Sequence, residues 1–92
     1  MSIALGQIVI SQAGRDTGKK FVVVGVIDDL FVEISDGSLR RVEKPKKKKI
    51  KHLKATDEKV QSIEEKLKSG ARITNTEIRK ALAGPDIHQN NQ

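Results

Sequence analysis

The feature that most constrains the fold is the segment spanning 12–26, QAGRDTGKKFVVVGV, in which a glycine-rich turn runs straight into β-branched residues. Its centre, GRDTGKK, resembles a phosphate-binding loop, and the comparison fails at three points. That loop reads G-x-x-x-x-G-K-[ST], whereas only three residues separate Gly14 from Gly18. Lys20 stands where a magnesium-binding hydroxyl belongs. A nucleotide loop must also open into a helix, whose N-terminal amides hold the phosphate. Here FVVVGVI follows, and valine and isoleucine favour strands. The loop is therefore a turn between two strands, and no nucleotide hydrolysis is expected of it.

Charge is the second constraint. The 92 residues carry a formal net charge of +6, but it is not spread along the chain. Residues 1–43 sum to −1, residues 44–56 (KPKKKKIKHLKAT) to +7, and residues 57–92 to 0. Charge concentrated in this way is the electrostatic footprint of a polyanion binder; the plainer alternative is a solvated lysine linker. Cysteine is absent, which excludes disulfides and cysteine-based zinc sites. The apolar run 21–27 is far too short to span a bilayer, and the first ten residues lack the basic region and cleavage site of a signal peptide. A cytoplasmic protein with no cofactor, no membrane association and no small-molecule substrate is expected.

Along the chain, strands are expected at 6–13, 20–27, 30–35 and 39–42, with a short fifth at 50–53 after the lysines. The strand at 20–27 is apolar on both faces, which places it centrally in a sheet or at a barrel corner, and Gly25 marks a bend or bulge. Asp36-Gly37 is a hairpin signal. Several short strands with close turns argue for a small barrel. Two helices are expected within 57–83. In the first, Thr56 is the expected cap, Asp57 and Glu58 suit the first turn, Val60, Ile63 and Leu67 share a face, and Gly70 is the stop. The second opens on the capping box Thr74-Asn75-Thr76-Glu77, with Ile73 and Ile78 as a hydrophobic staple, and stops at Gly84-Pro85. The division is a barrel with its basic exit segment at 1–54, a helical tail at 55–84 and a frayed C-terminus at 85–92.

Gly6, Val9, the loop from Gly14 to Lys19, the strand FVVVGVIDD, the hairpin LFVEISDG and the basic exit LRRVEKPKKKKIKHL together resemble a KOW-motif protein. The resemblance is to archaeal and eukaryotic KOW-type large-subunit ribosomal proteins over about residues 5–54, and to small stand-alone bacterial KOW proteins over most of the chain. One position departs: Phe21 stands three residues after Gly18, where many bacterial KOW motifs carry glycine. The resemblance implies a mainly β fold, a small SH3-like barrel followed by two short α-helices, and binding of ribosomal or other structured RNA without catalysis.

The candidate RNA-binding residues are Gly14, Arg15, Gly18, Lys19, Lys20, Arg41, Lys46, Lys47, Lys48, Lys49 and Lys51. The glycines satisfy turn geometry and let backbone amides, Arg15 and Lys19 approach phosphates. Arg40 and Arg41 would point to opposite faces of a strand, so only one joins this surface, taken as Arg41. Asp16 orders the loop or pairs with a neighbouring base. With two phenylalanines and no tyrosine or tryptophan, both phenylalanines falling in strands that also need core residues, the chain lacks a base-stacking platform. Phosphate contacts on folded RNA fit better. The competing reading is a protein–protein adaptor that docks a ribosomal or transcription partner through the barrel or the tail. A polybasic membrane anchor finds no second anchoring signal in a chain without cysteine.

Overall fold

The computed structural model describes residues 3–84. Five strands and two helices follow in order: β1 (Gln7–Ser11), β2 (Lys20–Val26), β3 (Phe31–Ser35), β4 (Lys46–Lys49), β5 (Leu53–Lys59), α1 (Gln61–Ser69) and α2 (Asn75–Ala83). The strands form one antiparallel sheet in the order β4-β3-β2-β1-β5. This is a mainly β, barrel-like unit with a helical tail.

β2 is the pivot, as its two-sided apolar pattern requires. Phe21 and Val23 face one core with Val9, Val32, Ile34 and Leu53. Val22 faces the opposite side, where it joins Ile8, Ile63, Ile73 and Ile78 beneath the helices. One strand thus supplies both cores by simple alternation. The register shift between Val23 and Gly25 is the irregularity expected at Gly25. Phe21, at the position where the resemblance departs, is fully buried.

α2 forms as its capping box dictates. The Thr74 hydroxyl accepts from the Glu77 amide, and the Glu77 carboxylate accepts from the Thr74 amide at 2.9 Å. Ile73 and Ile78 pack in the same cluster. The tail is clamped to the connection between β3 and β4. The Asn75 side chain accepts from the Val42 amide at 2.8 Å and donates to Glu43 at 2.9 Å. Arg79 donates to the Gly37 carbonyl at 2.6 Å. Gly37 has φ +75°, and a Cβ there would lie 2.5 Å from the Asn75 carbonyl oxygen. That close approach, rather than a two-residue hairpin, is what Gly37 provides.

Three expectations are corrected. The fourth strand is Lys46–Lys49, not 39–42. Asp36 instead closes a loop by accepting from the Ser38 and Arg40 amides at 2.9 and 2.8 Å, while the Arg40 carbonyl accepts from the Asp36 amide and the Ser35 hydroxyl. The stretch 50–53 is a 3-10 turn, Ile50–His52, that leads into β5 rather than forming a strand of its own. Thr56 is no helix cap: it lies within β5, and its hydroxyl donates to the Ile8 carbonyl at 2.7 Å. α1 begins at Gln61, capped by Val60 without a side-chain hydrogen bond. The C-terminal stop at Pro85 and the expected frayed segment 85–92 lie outside the described residues.

Candidate nucleic-acid interface

The loop between β1 and β2 is a closed turn that leads into a strand, not a helix. The Gly18 amide donates to the Ser11 carbonyl at 2.7 Å, and the Ser11 amide donates back to Lys19 at 3.0 Å. Gly14 and Gly18 have φ +83° and +90°, values at which a side chain is strained. The Thr17 hydroxyl donates to the Gly14 carbonyl at 2.6 Å. These bonds hold the backbone at Asp16 with its side chain turned inward; the residue is only 9% exposed.

Three segments converge on that carboxylate. Lys19 of the loop lies 3.8 Å away, Arg40 of the β3–β4 connection 3.7 Å, and Lys46 of β4 3.6 Å. Lys48 Nζ donates to the Ala13 carbonyl at 2.9 Å. Arg15 is exposed in the same loop. Lys19, Lys46 and Lys48, with Gly14, Arg15 and Gly18, are therefore brought together.

The other candidates lie elsewhere, and within β4 the strand itself is the reason. Register pairs Ile34 with Lys46 and Val32 with Lys48, whereas Glu33 and Phe31 pair with Lys47 and Lys49. Since Val32 and Ile34 point into the core, the lysine run divides between two faces. Lys47 Nζ stands 4.4 Å from the centre of the Phe31 ring, a cation–π contact. Phe31 is thus half-buried under a lysine rather than a core residue. Lys49 and Lys51 line a groove with Asp29, Leu30 and Ile50 at the β2–β3 turn. Arg41 lies 3.5 Å from Glu43. Lys20, exposed at the start of β2, sits across Ile10 from Lys54. Arg40 and Lys54 were not among the sequence candidates. The sequence offered Arg40 and Arg41 as alternatives, and the Asp36 loop, not strand alternation, is what brings Arg40 to Asp16. Lys54 could have been found from its alternation along β5.

Three carboxylates in and beside the tail are held differently. Glu64 is held below the usual carboxylate range by hydrogen bonding from Lys68, with Lys59 adding to it. Glu77 is lowered by Lys66 and by its bond to the Thr74 backbone. Glu43 is lowered chiefly by the Asn75 amide and then by its own backbone amide, with Arg41 adding to it. Among the described residues, no cluster of histidine, cysteine and carboxylate side chains could hold a metal ion, and no helix is long and apolar enough to cross a membrane.

Fold and charge together define a class: a small barrel-like β-sheet unit with a cationic cluster built from its first loop and a lysine strand, backed by a clamped helical tail. Comparison with known proteins then names the family. The large ribosomal subunit protein eL14 of Desulfurococcus amylolyticus is 37% identical over 81 residues, covering 88% of this chain and 77% of that protein. The eL14 protein of Staphylothermus marinus is 31% identical over 91 residues, covering 94% and 95%, and that of Pyrobaculum arsenaticum is 34% identical over 80 residues, covering 87% and 71%. No protein-family model matches the chain. The chain belongs to the eL14 family of large-subunit ribosomal proteins, which are of the KOW type. The similarity runs through the helical tail and not only through residues 5–54.

Proposed function

We propose that the protein binds structured RNA of the large ribosomal subunit, without catalysis, through phosphate contacts from the β1–β2 loop and β4. The observation that carries this is the convergence of Lys19, Arg40 and Lys46 on one buried acid, with Lys48 beside them. A net positive cluster on rigid backbone suits a polyanion, and phosphate contacts position without reading sequence. The named relatives are large-subunit proteins, which makes ribosomal RNA and neighbouring ribosomal proteins the natural partners and the cytoplasmic ribosome the natural location. The test is ultraviolet crosslinking of the protein to ribosomal RNA, followed by mass spectrometry of the attached peptides. Crosslinks within 14–20 and 40–49 are expected; crosslinks confined to the helical tail would contradict the reading.

One observation favours a second reading, a protein contact. Val26, Ile27 and Leu30 at the β2–β3 turn are 53%, 45% and 67% exposed. The turn is preorganised, because Asp28 accepts from the Leu30 and Phe31 amides at 2.8 and 2.9 Å. Partner capture that survives nuclease and high salt, and is lost on Leu30→Ala, would establish that reading.

A further inference from the structure

Asp16 is the only acid among the described residues that meets three cations. The geometry of that meeting is unusual. Charge-assisted N–H···O contacts close to about 2.7–2.9 Å, yet Lys19, Arg40 and Lys46 stand 3.8, 3.7 and 3.6 Å away. Among the described residues, the Asp16 Oδ2 atom is buried and finds no hydrogen-bond donor. A buried acceptor left unmet is costly, so this oxygen is held by the field of its cations rather than by their donors. The converse matters more: none of the three cations gives a hydrogen bond to Asp16, and their N–H groups stay available to a second anion.

We propose that Asp16 is a positioning residue for RNA recognition, gathering Lys19, Arg40 and Lys46 from three separate segments into one fixed set of phosphate donors. The proposal rests on the RNA-binding reading above. Three like charges this close repel one another, and lysine side chains carry large rotamer freedom. Without the central carboxylate they spread, and the phosphate must then order each of them itself. Asp16 also fastens the first loop to β4 and to the Arg40 segment, which is why a carboxylate is kept inside a surface meant for an anion.

The signs of the two effects separate this role from plain electrostatics. Asp16→Asn removes a negative charge from a polyanion-binding surface. If only net charge mattered, affinity for every RNA would rise. If Asp16 positions the donors, affinity for a folded hairpin RNA falls while affinity for flexible single-stranded poly(U) holds or rises. The expected loss on the hairpin is about fivefold to tenfold near physiological salt, with the log–log salt slope shallower by about one contact. Equal or tighter hairpin binding by the folded variant overturns the proposal and leaves the RNA-binding reading intact; failure of the parent protein to bind either RNA overturns both. A second measurement needs no variant. In the free parent protein, the Arg40 Nε–H should relax like the backbone in nitrogen-15 NMR, and the exposed Arg15 Nε–H much faster. If Arg40 relaxes like Arg15, the cations are not held and the proposal fails.

Discussion

The first loop and the helical tail use charge in different ways. In the tail, four cations have partners within bonding reach: Lys68 lies 2.9 Å and Lys59 3.4 Å from Glu64, Lys66 meets Glu77, and Arg79 donates to the Gly37 carbonyl. At the loop end, a single acid faces three cations at longer range, with Lys48 and Arg15 in addition. These contacts fasten α1 to α2 and α2 to the β3–β4 connection. The loop end keeps an excess of positive charge around Asp16, which is the feature that the proposed RNA contact uses. A basic sequence composition alone does not separate these cases; the partners of the cations named here do.

The largest effect that tests this contrast is on stability. Ile78 is fully buried between α2 and β2, and Ile78→Ala should cost about 2–5 kcal/mol through lost burial and a cavity. Replacing Lys46 and Lys48 with alanine should cost no more than about 1 kcal/mol, since partly exposed ion pairs contribute little. Urea denaturation of both variants makes the comparison, and similar losses would erase it. A smaller change is Thr74→Ala, which removes the capping oxygen of α2 and should cost about 1 kcal/mol, again read by urea denaturation. A loss below a few tenths would mean that the cap is not holding the tail.

Acid should separate the two ends as well. Glu43, Glu64 and Glu77 are all lowered in the folded protein. A lowered carboxylate contributes stability that is present above its unfolded value, about 4.3, and is lost as pH falls through the folded value. Tail docking should therefore loosen progressively below about pH 4.3, with Asn75 and Val42 amide shifts moving first and β1–β2 shifts later. Simultaneous movement would show that the tail has no acid sensitivity of its own.

What could be read from sequence follows from where local chemistry and tertiary context agree. The first loop and β2 were legible because glycine spacing and β-branched residues point the same way. The capping box and staple of α2 are local chemistry, and they form as written. β4 was not legible, since four lysines have poor strand propensity; pairing with Phe31–Ile34 imposes the strand. That strand also divides the lysines between two faces. The start of α1 misled because Thr56-Asp57-Glu58 has the composition of a helix opening, whereas the antiparallel partners Gln7–Ser11 draw it into β5. Asp16 could be recognised as a loop organiser, but its three partners come from segments far apart in sequence.

The most direct test of the central claim is a salt titration of RNA affinity. The parent protein and the double variant Lys46→Ala/Lys48→Ala are compared, with circular dichroism as the folding control. Each phosphate contact contributes a slope of roughly −0.7 to −0.9 in log affinity against log salt, so four to six contacts give about −3 to −5 for the parent. The double variant should be shallower by about 1.4–1.8 and should weaken most RNA sequences alike. A folded variant that keeps the parent's slope and affinity would contradict the account and leave β4 as nothing more than a solvated edge strand.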